Sequence, residues 1–155
     1  MKGNHTTPQN TISKSNLLCV EGQPELDLVW KKIQDEARQI SSSEHRLTAL
    51  MEDIFISRNS IACSVAARLS RKLAREDMTR DELLPLLEEI LVDHPELVSS
   101  MVSDLIAINE RDPACHSLTQ PLLYYKGFLA LATYRLGHRM WKNNRHDLAY
   151  YFQSL

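Results

Sequence analysis

The sequence predicts an all-α fold, one domain of six to seven helices in an orthogonal or bundle-like arrangement, and three observations carry that prediction. Apolar residues recur at three- and four-residue steps from Leu26 to the end of the chain. No segment alternates polar and apolar with period two over strand length, and nothing reads as a hairpin. The third observation is a count: four glycines in 155 residues (Gly3, Gly22, Gly127, Gly137). So few leave no room for a phosphate-cradling loop, a dinucleotide fingerprint or a glycine-punctuated β-solenoid.

The remaining bounds are those of an ordinary globular chain. Hydrophobic residues make up 43% and charged residues 25%. A formal net charge of −2 argues against a general nucleic-acid binder. No apolar run approaches the roughly 18 residues that span a bilayer. Leu17-Leu18-Cys19-Val20 is too brief for a signal-peptide core. Cys19, Cys63 and Cys115 are odd in number and widely spaced, which suits free thiols in a reducing compartment. A cytoplasmic location is expected, with organellar targeting by the N-terminal tail left open.

Residues 1–22 form a polar tail expected to be disordered, and residues 23–155 form the helical domain. Pro24 suits a first helical position, and Leu26, Val29, Trp30, Ile33, Ala37 and Ile40 make one stripe after it. Ser41-Ser42-Ser43 is expected to end that helix and cap the next, which carries Leu47, Leu50, Met51, Ile54 and Phe55. Ser60 is placed to cap a third, with Ile61, Ala62, Val65, Ala66, Leu69 and Leu73 inward; Cys63 on this stripe reads as a small core residue. Thr79 and Glu82 have the spacing of a capping box, with Pro85 close enough to the start to be tolerated. His94-Pro95 closes that helix and opens the next, whose face is Leu97, Val98, Met101, Val102, Leu105 and Ile106.

Residues 111–120 are the longest clear loop, after which one long helix is expected from Pro121 to Trp141. Tyr125, Leu129, Ala132, Leu136 and Met140 form its main stripe, widened by Tyr124, Phe128, Leu131 and Trp141, so neighbours or another subunit must cover it. Gly127 and Gly137 weaken that helix and are expected to permit close backbone approach. Asn143-Asn144 is a break before a last helix from Arg145. Tyr150 to Leu155 is aromatic and apolar with no cap, so the chain is expected to continue past it.

The chemistry-bearing residues are sparse. His5, His45, His94, His116, His138 and His146 form no metal-ligand pair with one another or with the cysteines; Cys115 and His116 are adjacent and point apart. No strained nucleophile turn exists. Glu88-Glu89 and Asp81-Glu82 read as solvated helix faces. Lys126, Arg135, Arg139, Lys142 and Arg145 form a basic stretch without an acidic residue. It reads as a paired surface with helix-dipole compensation, and alternatively as an anion contact. Asp112 stands out: Arg111-Asp112-Pro113 puts a carboxylate in a loop between two well-packed helices. Pro113 pushes Asp112 away from helical geometry, which fits either a working residue or the cap of a short turn.

Arg111-Asp112-Pro113-Ala114 is followed by Pro121-Leu122-Leu123-Tyr124-Tyr125-Lys126-Gly127-Phe128 and Tyr134-Arg135-Leu136-Gly137-His138. Together with Trp141 to Arg145, Leu148-Ala149 and Gln153, this order resembles the N-terminal helical domain of bacterial and plant serine O-acetyltransferases. Leu28-Val29-Trp30, Glu36-Ala37-Arg38 and Asp93-His94-Pro95-Glu96 fit the same pattern, so the resemblance runs over residues 25–155. It implies an enzyme that acetylates the L-serine hydroxyl with acetyl-CoA, giving the precursor of cysteine.

By the same resemblance the helical domain packs subunits into a trimer or hexamer, a dimer of trimers. Catalysis belongs to a following left-handed β-helix, where a histidine is the general base. Asp112 is expected to contact the serine substrate, since a carboxylate pairs with its ammonium group. No catalytic residue, cofactor or metal is expected within this chain; acetyl-CoA is the co-substrate of the full enzyme. The sulfhydrylase partner would be reached only through a C-terminal tail outside this sequence, and neither nucleic acid nor membrane is expected. The β-helix is not present, so the 155-residue chain alone is expected to be inactive. Asn144 stands where the family carries glycine. The alternative is a free-standing helical interaction protein that offers residues 121–141 to a partner helix.

Overall fold

The computed structural model describes residues 24–155, which hold eight helices and no strand. The expected tail, with Cys19, lies outside the described residues. Helix α1 (Pro24–Ser43) buries Ile33 and Ala37 fully and packs Leu26, Val29, Trp30 and Ile40 against the core. It ends at Ser43, as expected, but its serines do not cap the next turn. Glu44 caps that turn by accepting the Arg46 N–H at 3.1 Å. Ser42 and Ser43 instead donate back to the carbonyls of Gln39 and Ile40, which lets serine stay helical.

Helix α2 (residues 45–56) changes pitch twice: a 3₁₀ turn at His45–Leu47, an α turn at Thr48–Met51 and a π turn at Glu52–Ile56. Met51, Ile54 and Phe55 are nevertheless all buried, as the sequence stripe requires. Helix α3 (Ile61–Leu73) is the centre of the domain, with every residue from Ile61 to Ala67 buried. Ser60 caps it as expected, its hydroxyl accepting the Cys63 N–H at 3.2 Å. Helix α4 (Arg80–Asp93) begins with the expected box: Glu82 accepts the Thr79 N–H at 2.8 Å. Helix α5 (Pro95–Arg111) follows directly, with Pro95 in its first turn.

The expected single helix from Pro121 is two: α6 (Thr119–Tyr124) and α7 (Lys126–Lys142). A side chain of α3 meets the break. The Arg68 guanidinium donates to the carbonyls of Leu122 (3.1 Å) and Leu123. In an unbroken helix those carbonyls would accept from Lys126 and Gly127, four residues on. Instead Tyr125 adopts an extended backbone (φ −83°, ψ 106°), a new helix starts, and Arg68 satisfies the two carbonyls.

Helix α8 (His146–Ser154) folds back onto α7 through a complete C-terminal motif. The Arg145 N–H reaches the Met140 carbonyl at 2.9 Å, and the Asn144 N–H reaches Trp141 at 3.0 Å. Asn144 sits at φ 59°, the left-handed conformation this motif needs. Asparagine tolerates that region better than most residues, so the bend survives without glycine.

The other glycine expectation is corrected in part. A methyl at Gly127 would meet nothing within 4 Å, so no backbone approaches there. At Gly137 it would lie 3.5 Å from Phe152 Cβ, ordinary contact between α7 and α8. Glu88 is also not the solvated carboxylate expected. Its side chain is 17% exposed and lies 3.8 Å from Arg58. Nearby, Asp53 in the π turn receives Arg58, Arg71 and Arg80, joining α2, α3 and α4 at one carboxylate. One continuous core of side chains such as Phe55, Leu69, Leu87, Leu105 and Leu136 links all eight helices.

Candidate functional site

Asp112 is where α5 stops. Its N–H still bonds to the Ile108 carbonyl at 2.9 Å, but its backbone is extended (φ −92°, ψ 109°), as a residue before proline prefers. Its Oδ1 accepts the Ala114 N–H at 2.9 Å, and its carbonyl accepts the Cys115 N–H at 2.9 Å. The carboxylate therefore does cap a short turn. It also lines a groove.

The loop from Asp112 to α6 is held in shape by Gln120. Its Oε1 accepts the His116 N–H at 2.9 Å, and its Nε2 donates to the Ala114 carbonyl at 3.3 Å. Helix α6 has only six residues, too few to be stable alone, and it is anchored at both ends from elsewhere. Glu36 on α1 accepts the Thr119 N–H at its start, and Arg68 on α3 takes the carbonyls near its end. This double anchor fixes where Tyr125 emerges.

Between α5 and α7 lies a groove of about 520 Å³. Ile108, Phe128 and Leu131 give it an apolar floor, and Arg111, Asp112 and Tyr125 stand around it. Asp104, also on its wall, is engaged by Arg135. The Tyr125 hydroxyl is pushed above its ordinary pKa, first by burial and then by the Asp112 carboxylate and the Cys115 thiol beside it. Cys115 is itself buried, and its thiol donates to the Ser117 carbonyl at 3.4 Å. A groove with a carboxylate and a phenol against an apolar floor can hold a small cation, an organic ammonium group above all.

A second hollow of about 590 Å³ lies between α3, α7 and α8, lined by Tyr134, His138, Trp141 and Tyr150. Trp141 meets Tyr150 edge to face at 5.4 Å, and Tyr134 stacks on His138 at 6.0 Å. Lys72, Arg75 and Lys126 are the charged groups of its wall. Of the basic stretch, Arg135 pairs with Asp104 and Arg139 with Glu96. These two ion pairs agree with a paired surface. Among the described residues no three of His, Cys, Asp and Glu gather as a metal ion would need. Among them no helix is long and apolar enough to cross a membrane.

The sequence singles out Asp112 and not the residues beside it at the groove. Tyr125 falls by spacing on the stripe of an unbroken helix, and nothing in the local sequence around Arg68 signals partners at Leu122 and Leu123. Glu36 stood out only as part of a matching tripeptide.

Residues 29–133, which include Asp112, match the family model described as serine acetyltransferase, N-terminal. The serine acetyltransferase of Salmonella typhimurium is 35% identical over 130 residues, a match that covers 84% of this chain and 48% of that protein. The structure of soybean serine acetyltransferase complexed with serine superposes with a TM-score of 0.82 at 35% identity, covering 86% of this chain and 55% of that one. A serine acetyltransferase from Brucella abortus strain S19, in complex with coenzyme A, gives 0.80 at 32% identity, with 84% and 52% covered. The chain spans about half the length of the relatives it matches.

Proposed function

The chain belongs to the serine acetyltransferase family, in its N-terminal region, and from that premise we propose that it assembles with copies of itself and lends Asp112 to an L-serine site. The observation that carries the reading is the place of Asp112: a carboxylate at a preformed groove, inside the segment that matches the family. Serine carries an ammonium group beside its reacting hydroxyl, and a carboxylate fixed by the Ala114 N–H can hold that group without moving. The likeness to a soybean relative complexed with serine supports this choice of ligand.

The acetyl group would come from acetyl-CoA, a donor supported by the likeness to a relative in complex with coenzyme A. No residue of this chain is assigned to it, and no general base is assigned here either. In this reading the domain binds and assembles, and transfer falls to the part of the relatives' length that this chain does not span. Self-association is supported by the large side chains left on the surface. Tyr134 is 66% exposed and Tyr150 58%, and Leu131 and Trp141 on the same α7 helix as Tyr134 are exposed with them.

The test is a titration of the 155-residue chain with L-serine, followed by the carbon NMR signal of the Asp112 carboxyl. A saturable shift is expected, and the same chain should sediment as an oligomer at micromolar concentration. A silent Asp112 signal removes the serine reading, and a strictly monomeric mass removes the assembly reading. The chain alone should transfer no acetyl group; measured turnover of serine would overturn the division of labour.

A further inference from the structure

Helix α6 is held by an acceptor from α1 and donors from α3, and what those anchors deliver is the position of one side chain. Had the helix run on through Tyr125, its backbone would not be extended there, and its side chain would leave the axis in another direction. Instead the phenol stands on the wall of the groove that Asp112 lines, with the Cys115 thiol beside it.

We propose that Tyr125 is a positioning residue for Asp112: its hydroxyl donates to the carboxylate and holds it toward the groove for the ammonium group of an amino acid. One carboxylate oxygen is already fixed by the Ala114 N–H at 2.9 Å. A second donor from across the groove sets the remaining torsion. The choice of a phenol is chemically apt. A lysine or arginine there would neutralise Asp112 and compete with the ligand, whereas a neutral hydroxyl orients the carboxylate and leaves its negative charge. The raised pKa of Tyr125 agrees, because a phenol facing a carboxylate keeps its proton. The other charged groups at the groove are Arg111, at the end of α5, and Asp104, which Arg135 engages.

The ligand in this inference rests on the serine reading; the contact between Tyr125 and Asp112 does not. The experiment separates the two. The full 155-residue chain, carbon-labelled at tyrosine and aspartate, is titrated with base and read by NMR. In the native chain the Tyr125 ring signal is expected to titrate later than an ordinary tyrosine, and the Asp112 carboxyl signal to show an inflection at the same midpoint. Asp112→Asn should bring the Tyr125 midpoint down. Tyr125→Phe should erase the inflection at Asp112 while the Ala114 amide signal stays in place, which shows that the turn is intact. The same variant should weaken the response of Asp112 to L-serine roughly 3- to 10-fold, the worth of one ordinary hydrogen bond. A Tyr125 midpoint that ignores Asp112→Asn overturns the proposal, and so does a serine response that Tyr125→Phe leaves unchanged. If the coupling is present but serine moves neither signal in the native chain, the serine reading fails while the contact stands.

Discussion

Glu36 on α1 accepts the backbone N–H of Thr119 at 2.9 Å, across 83 residues of chain. Thr119 is fully buried, so without that carboxylate its N–H has no water to turn to. Leaving a buried donor unsatisfied costs about 1–3 kcal/mol. Glu36→Ala should therefore lower the urea midpoint by about that much, and Glu36→Gln, which keeps an oxygen acceptor, by less. Equal losses in the two variants would show that the carboxylate acts by charge and not as a cap.

Arg68 makes the sharper case, since it sits at the break between the two helices that stand between Thr119 and Lys142. Arg68→Met keeps most of the apolar stem and removes the donors to Leu122 and Leu123. The loss of hydrogen bonds from a charged group should cost about 1.5–3 kcal/mol. More tellingly, the freed carbonyls become available to the amides of Lys126 and Gly127. Hydrogen exchange at those two amides should slow in the variant as the helices merge. Unchanged exchange would mean that the break at Tyr125 has another cause.

These two residues mark the limit of what the sequence discloses. Stripes such as Ile61, Val65, Leu69 and Leu73 are legible because burial on a helix follows a fixed period. The caps at Ser60 and Thr79 are legible because they act within one turn. The break at Tyr125 has no period and no local cap, and the donors that meet its carbonyls come from Arg68 on another helix. The same reasoning covers the site. Asp112 is legible from the proline after it, a local constraint, but Tyr125 reaches it only through anchors on α1 and α3. Ser42 and Ser43 fail as caps for a different reason: serine favours caps, yet these two bond back to their own helix and leave the capping of the next turn to Glu44.

Asn144 should tolerate glycine better than alanine, the reverse of the usual helical ranking. At φ 59° a Cβ crowds the following carbonyl by roughly 1–2 kcal/mol, a penalty asparagine meets in part and glycine escapes. Asn144→Ala is expected to lose about 1 kcal/mol, and Asn144→Gly to hold stability or gain a few tenths. Thermal unfolding of the two variants side by side is sufficient. A destabilised glycine variant would mean that the Asn144 side chain contributes something beyond its backbone conformation.

The cluster around Asp53 predicts how stability depends on acid. Burial raises the pKa of this carboxyl, but the arginines at 80, 71 and 58 outweigh it, so the net shift is downward from 3.8. A carboxyl depressed by folding contributes stability above its unfolded pKa and loses it as pH falls through the folded one. Glu88 has the opposite sign. Burial raises it above 4.5, with Arg58 pulling the other way, so protonating it favours the folded chain. Stability from Glu88 is thus gained as pH falls toward 4.5, before that of Asp53 is lost below 3.8. Urea unfolding across this range should show both limbs. Glu88→Gln should flatten the upper one alone. Asp53→Asn should cost about 1–2 kcal/mol at pH 7, modest for a pair that is partly open to solvent, and nothing once the native carboxyl is protonated. An Asp53→Asn deficit that stays constant from neutral to strongly acidic pH would show that packing around the asparagine, and not the lost charge, sets the cost.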